Sequence, residues 1–525
     1  MSDSNQTKKR NVSKGLIAII VAVVVLIGGT AAAMMITSSS PKVSYFKAEA
    51  DSYNFLIDQV KEKYKPEYDW YVKQQEEPTE SKIDISANYN VPPTNTDPFA
   101  MDPAQIINNS TISILTQSDM ENKEVSAGLS ASIAGIAIDD INLYLTAEDL
   151  MLQTPFVNEI LQVNDEDLGS ILYELDPYTF TGDESIDFEA FFDTQNQVLA
   201  EEDIEYLKKE YLEFLYDEIS EDAFTSTDET IEVNGESIKA EKIEFQLTEE
   251  EVKELLNLTI DKMKKDERLK EIIKDQIMYS QLGDSVVESE VDDMLADFET
   301  SLEDMKQDLA EVQIPNGLNS TIWVDDNLIV QRDFSIDIGP STDDLIQLSV
   351  TGNQLFTDIS QWFNYDFAFS DAYDEGSLQL EGDLNFEDNQ GNDKIELTVG
   401  ETILSYEASE TLEDGSREFD RTFRFSEPAE DISILWNGVA NYENDQMDSE
   451  HKLAIDTIDI SKDMAELQLN IEGKVIDGVE LPENENIRDL GTMSAEELYD
   501  YFEMEFYPAL EEWMYGLLMG GGAGF

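Results

Sequence analysis

The stretch "LQLEGDLNFEDNQGNDKIELTV", residues 378–399, decides the fold. Leu378, Leu380, Leu384 and Phe386 occupy every second position, with Gly382 as the gap, and Ile395, Leu397 and Val399 resume the period. A period of two sends successive side chains to opposite faces of a strand. One face is therefore apolar and the other carries Gln379, Glu381, Asp383 and Glu396. The polar run Asn389-Gln390-Gly391-Asn392 reads as the turn of an antiparallel hairpin.

The same period extends in both directions. Downstream, Phe419, Phe423 and Phe425 follow an Asp414-Gly415 turn, then Ile432, Ile434 and Trp436, Leu453 and Ile455, and Leu467, Leu469 and Ile471. Upstream, Leu328 and Val330, Phe334, Ile336 and Ile338, and Ile346, Leu348 and Val350 alternate in the same way. At least seven strands with short turns predict a large twisted antiparallel sheet. A second set alternates from Lys82: Ile83, Ile85, Ala87 and Tyr89, then Ile112 and Ile114, Val125 to Ile133, and Ile141 to Leu145. Ile231 and Val233, Asn234-Gly235, and Ile238 to Phe245 read as a further hairpin.

Helical spacing marks the rest. Val43 to Gln75 predicts a helix divided at Pro66, and Asp187 to Ile219 a helical region. Thr248 with Glu251, and Ser494 with Glu497, have the capping-box spacing. Two helices, Thr248–Leu282 and Asp284–Val312, are expected as an antiparallel hairpin broken at Gly283 and ended by Pro315-Asn316-Gly317. In the second, Val287, Val291, Met294, Phe298, Leu302, Met305 and Leu309 form a seam that reads as core.

At the N-terminus, Lys8, Lys9, Arg10 and Lys14 precede an uncharged run from Gly15 to Ile36. A helix of that length reaches roughly 30 Å, the thickness of a bilayer core. The flanking cations predict a cytoplasmic N-terminus and an exported remainder. The reading is a retained anchor. The alternative is a signal peptide cut near Ala31-Ala32-Ala33.

The 525 residues carry 33 Lys and Arg against 115 Asp and Glu, a net charge of −82, and no cysteine. Disulfides are excluded, and so acidic a surface repels nucleic acid. The chain is divided as 1–14 cytoplasmic tail, 15–37 transmembrane anchor, 38–81 juxtamembrane helical segment and 82–247 N-terminal α+β half. There follow 248–314 helical hairpin, 315–493 antiparallel half, 494–519 C-terminal amphipathic helix and 520–525 flexible tail. The expected fold class is α+β: an N-terminal transmembrane helix, then one or more large twisted antiparallel sheets packed against long helices and a central helical hairpin.

Catalytic constellations are missing. His451 is the one histidine and is expected at the surface, opening a strand. Without cysteine or a second histidine, Cys–His pairs, Cys/His zinc sites and HExxH proteases are excluded. Asp139-Asp140, Asp325-Asp326 and Asn444-Asp445 offer oxygen ligands but lack the spacing of a calcium loop. No catalytic, cofactor or metal residue is assigned, and only weak, nonspecific association of divalent cations with the acidic surface is expected.

Two stretches, "LMLQTPFVNEILQVNDEDLGSIL" (150–172) and "VNGESIKAEKIEFQLTEEEVKELL" (233–256), resemble segments of uncharacterised membrane-anchored extracytoplasmic proteins of Gram-positive bacteria. The second is also similar to LolA- and LppX-like half-barrels, in which a curved sheet wraps helices and holds acyl chains. The lipid-attachment cysteine of such lipoproteins has no counterpart here. The resemblance implies a fold, a place at the membrane and a lipidic ligand. The resulting expectation is a non-enzymatic, single-pass ectodomain, anchored through residues 15–36. It would bind a lipidic or cell-envelope ligand between its sheet and covering helices. A carboxylate-based envelope hydrolase and a ligand-free spacer are the alternatives.

Overall fold

The computed structural model describes residues 40–90, 103–175, 178–182, 188–193, 201–280, 288–371, 374–482 and 486–520. Two helices come first, α1 (Pro41–Lys63) and α2 (Lys65–Glu76). They part at Tyr64, two residues before Pro66, as a proline in the first turn of the second helix requires. Strands β1 (Thr79–Tyr89), β2 (Thr111–Asp119), β3 (Glu124–Ile133), β4 (Ile136–Thr146), β5 (Asp149–Gln153) and β6 (Ile160–Asn164) follow, then α3 (Leu168–Leu175) and α4 (Glu213–Glu218). After the hairpin of β7 (Phe224–Val233) and β8 (Glu236–Leu247) come α5 (Glu249–Lys265), α6 (Glu267–Ser280) and α7 (Glu288–Glu311).

The remainder is nearly all strand: β9 (Leu318–Asp325), β10 (Leu328–Ser341), β11 (Asp344–Phe356), β12 (Ser360–Ser370), β13 (Glu375–Glu387) and β14 (Gln390–Val399). β15 (Thr402–Glu413), β16 (Ser416–Glu427), β17 (Glu430–Glu443), β18 (Gln446–Asp456), β19 (Ala465–Val475) and the short β20 (Ile487–Asp489) complete it, before α8 (Ala495–Tyr501) and α9 (Tyr507–Gly520).

All twenty strands belong to one sheet. This corrects the expected α+β class, in which one or more sheets pack against long helices behind a transmembrane helix. Two pairings merge the halves. β8 pairs with β9 across the helices α5–α7, with Phe245 opposite Ser320. β1 takes β2 on one side and β19 on the other, with Ile83 opposite both Ile114 and Ile471. Alternation fixes which residues share a face but names no pairing partner. The sequence pattern is therefore equally compatible with one sheet or two. Every neighbour pair is antiparallel except β6 and β20. The anchor assigned to residues 15–37 lies outside the described residues. No described helix is long and apolar enough to cross a membrane.

The hairpin of residues 378–399 forms with Leu380 opposite Leu397 and Gly382 opposite Ile395. Its turn is tighter than expected, a two-residue loop at Asp388 and Asn389 with φ of +51° and +62°. Two positive φ values give the loop whose twist matches the flanking strands, and short polar Asp and Asn tolerate them. Asn234-Gly235 turns β7 into β8 in the same manner, with φ of +49° and +81°. Both capping boxes form, Thr248 with Glu251 and Ser494 with Glu497.

The main core lies where α1, α4, α5 and α7 cover β7–β11. Tyr45, Leu215, Leu256, Ile260, Leu302 and Leu309 meet Ile243, Phe245, Ile322 and Ile338 there. Instead of a two-helix hairpin, three helices form. Asp266 ends α5 and caps α6 by accepting from the Leu269 amide at 3.0 Å. It also accepts from the hydroxyls of Tyr206 (2.6 Å) and Tyr211 (2.7 Å).

Candidate functional site

From β11 to β19 and on through β1–β5, one face of the sheet is apolar. Register places Leu380, Leu397, Leu404, Phe425 and Ile432 in one row across β13–β17, and Ile395, Tyr406, Phe423 and Ile434 in the next. Ile434 lies opposite Ile455, and the following row runs from Trp436 through Leu453 and Leu467 to Ala87. The opposite face of these strands carries Glu381, Glu396, Glu407, Asp420, Glu450 and Glu466. Among the described residues no helix layer covers the apolar face here. Leu129, Phe367, Val399, Leu404, Phe423, Ile434 and Leu467 keep between 38% and 48% of their surface exposed.

A single strap crosses it. At ~1.5 Å per residue, α1 and α2 together reach about 50 Å. The ten steps of ~4.8 Å from β9 to β19 require about the same. The strap contacts strand after strand in order. The Tyr45 hydroxyl meets Ser320 of β9 at 2.7 Å, Glu49 pairs with Arg332 of β10, and Phe55 stacks on Phe356 of β11 at 6.1 Å. Lys63 reaches Asp393 of β14 and Glu410 of β15. Glu67 binds Arg417 of β16, and Trp70 lies over Gly473 of β19, where a Cβ would approach its ring to 2.7 Å. From β10 onward the strap keeps to one end of the face, because Arg332, Phe356, Asp393, Glu410, Arg417 and Gly473 lie toward the ends of their strands that meet there.

Where the strap breaks, a buried charge cluster forms. Lys63 Nζ donates to Asp393 at 2.6 Å and lies 2.8 Å from Glu410. Arg417 donates to Glu410 at 3.1 Å and to the Lys63 carbonyl at 2.6 Å, and Arg421 to Glu410 at 3.3 Å. The Glu410 side chain is fully buried, and that of Arg417 nearly so. Burial opposes the Glu410 charge, but the Lys63 hydrogen bond and the charges of Lys63, Arg417 and Arg421 outweigh it and hold the carboxyl below its usual range. At Glu49 burial wins over Arg332, and its pKa is raised.

Arg421 stacks between aromatic rings, its guanidinium carbon 4.3 Å from the Phe419 centroid and 4.8 Å from that of Trp436. His451 adjoins both rings. It stands mid-strand on the apolar face, half-buried, not at the surface start of a strand.

The sequence-proposed oxygen ligands come to nothing collective. Asp139-Asp140 lies beside the bulge of β4, Asp326-Asn327 turns β9 into β10, and Asn444-Asp445 turns β17 into β18. Among the described residues no three acidic or histidine side chains are grouped to hold a metal. The strap's sheet partners were not foreseen. Lys63, Glu410 and Arg417 look like any other charges of an acidic chain. The one available signal is that Asp393, Glu410, Arg417 and Arg421 occupy apolar-parity positions of their strands.

No known family matches the sequence, and no curated protein does. Among solved structures the chain is similar to OccAB2 of Acinetobacter baumannii, at 4% identity and a TM-score of 0.25, over 76% of this chain and 97% of that one. OmpF of Salmonella typhi follows at 7% and 0.20, over 77% and 99%. OmpT, an outer membrane protein of Vibrio cholerae, shows 8% and 0.16, over 76% and 98%. Likeness at these values carries neither an ancestry nor an activity to this chain.

Several expectations are corrected at this point. The resemblance to anchored Gram-positive ectodomains and to LolA- and LppX-like half-barrels is withdrawn: no family and no curated protein supports it, and the strands join in one twenty-stranded sheet. The single-pass localisation and membrane attachment through residues 15–36 go with it, and those residues lie outside the described ones. The ligand site between sheet and covering helices is not formed. Where helices cover the sheet, Ile243, Phe245, Ile322 and Ile338 are completely buried in a solid core. The hydrolase loses its support because the buried carboxylates between strap and sheet, Glu49 of α1 with Asp393 and Glu410 of the apolar face, are tied to Arg or Lys. A ligand-free spacer does not explain so much exposed apolar surface.

Proposed function

We propose that the chain is a non-catalytic transport protein, and that its open apolar face is the path along which small apolar molecules move. One observation carries this reading. Alternation segregates apolar from acidic side chains across one continuous sheet, and the apolar side is left half-exposed over many neighbouring strands. Soluble proteins rarely expose contiguous apolar surface beyond a few hundred Å² without using it. The strap shields one margin of the path from water, and the acidic opposite face keeps the sheet soluble and discourages stacking of copies.

Transfer of pyrene between donor and acceptor vesicles tests the proposal. The purified chain is expected to accelerate transfer in proportion to its concentration, and a large excess of a second apolar probe is expected to compete. No acceleration and no pyrene binding would overturn the reading. Ion conductance across a planar bilayer without pyrene transfer would also overturn it and would move the path to the acidic face.

A further inference from the structure

The one histidine of the chain occupies a position where a proton would matter. Trp436 Nε1–H donates to His451 Nδ1 at 3.2 Å, which leaves the Nε2–H to face Ser449 Oγ at 3.0 Å. The Trp436 ring bears on Arg421, Arg421 bears on Glu410, and Glu410 holds Lys63 at the break in the strap. A chain of direct contacts thus links the imidazole to α1 and α2.

We propose that His451 is a proton-operated latch for the strap: neutral, it keeps Trp436 and Arg421 seated under the break between α1 and α2, and protonated, it releases them and opens that margin of the apolar face. The role as a gate rests on the transport reading above; the latch itself does not. An imidazolium carries N–H at both ring nitrogens, so Nδ1 can no longer accept from Trp436. It also adds a cation to a place that already holds Arg421.

The groups around this place do not offset that charge. Arg417 and Arg421 come from β16, Tyr406 and Glu410 from β15, Asp393 from β14, and Tyr442 from β17. The strap adds Lys63, Tyr64 and Glu67, and β19 presents Leu469 directly opposite His451. Each of the three carboxylates is already engaged by Lys63, Arg417 or Arg421. Burial, and then Arg421, lower the His451 pKa from its usual value. The closed arrangement therefore keeps its full stability above about pH 6.5, the unfolded value, and loses it as pH falls through the lowered folded one.

The absence of cysteine makes the test direct. Spin labels are placed on the full chain at Glu76→Cys, at the end of α2, and Gln446→Cys, at the start of β18. The distance between them is read by pulsed spin resonance from pH 8 to 5, while the single imidazole is followed by NMR. The distance is expected to lengthen in step with the imidazole signal as pH falls below the ordinary imidazole value, and to stay at its neutral value in a His451→Gln background. A distance change that persists in His451→Gln overturns the latch. If that variant does not fold, the unsubstituted histidine still decides. An imidazole that titrates while the distance stays fixed, or that never titrates in this range, overturns it equally. None of these readings involves pyrene, so a failed latch and a failed transport path are told apart.

Discussion

The β7–β11 end of the sheet and the β12–β19 stretch carry the same two-residue apolar period and meet different fates. In the first, Ile243, Phe245, Ile322 and Ile338 lose all contact with water under α1, α4, α5 and α7. In the second, Leu404, Phe423 and Ile434 keep 41–44% of their surface. Local backbone and register are alike, so the difference is one of cover. The helices that would be needed for a second layer are spent on one end, and among the described residues the other end receives only the strap.

The largest effect should separate the two ends most sharply. Phe245 stacks on Phe224 with centroids 4.5 Å apart, inside the sealed core. Phe245→Ala is expected to cost about 3–5 kcal/mol by chemical denaturation, the transfer term plus a cavity that cannot collapse. Phe423→Ala removes the same atoms from a half-exposed site and should cost about 1–2 kcal/mol. Equal costs would mean that the open face is covered in solution, and the contrast between the ends would fail.

Almost as large is the expected effect at the charge cluster, where the open stretch has its own buried part. Glu410→Gln leaves Lys63, Arg417 and Arg421 crowded with one carboxylate fewer and should cost roughly 3–5 kcal/mol. The strap should loosen before the sheet melts, visible as faster amide exchange in α2 with β7–β11 unchanged. Uniformly faster exchange would show that strap and sheet fold as one unit.

Acid should reach the same cluster by titration. The Glu410 carboxyl is held below its ordinary value. Its contribution is therefore full above about pH 4.3, the unfolded value, and is lost as pH falls through the lower folded one. With 115 acids in the chain, the total acid response says little. The difference between the unsubstituted chain and Glu410→Gln isolates this one group, and that difference should shrink from neutral pH toward pH 3. A difference constant with pH would mean that the group does not titrate in this range.

These contrasts also mark what could be read in the chain beforehand. The faces of β13, β14 and β16–β19, the Asn234-Gly235 hairpin, the two capping boxes and the break near Pro66 each depend on residues a few positions apart, and each was legible, whereas the sequence reading places no strand at β15. The pairings β1–β19 and β8–β9 join residues far apart in sequence, such as Ile83 and Ile471, and period two carries no label for a partner. The strap's seat was hidden for a related reason. Asp393, Glu410 and Arg417 break the apolar parity of their strands, yet only the helix lying over them shows that they are buried. His451 looked superficial because its immediate neighbours, Glu450 and Lys452, are charged, but they point to the other face.

The smallest expected effect bears on the path itself. Leu404 lies on the open face with 44% of its surface exposed. Leu404→Gln loses only part of a leucine's burial, so the denaturation midpoint should shift by about 1 kcal/mol or less. Pyrene transfer should nevertheless slow several-fold, because an amide placed in the Leu380–Leu397–Leu404–Phe425 row must shed its water each time an apolar molecule passes. The same exchange at Thr398, which points to the acidic face one residue before Val399, should leave transfer unchanged. Slowing at both positions would mean that the substitution acts through general loosening of the sheet. Slowing at Leu404 alone would assign the traffic to the apolar face, because stability and transfer would then respond to different residues of the same hairpin.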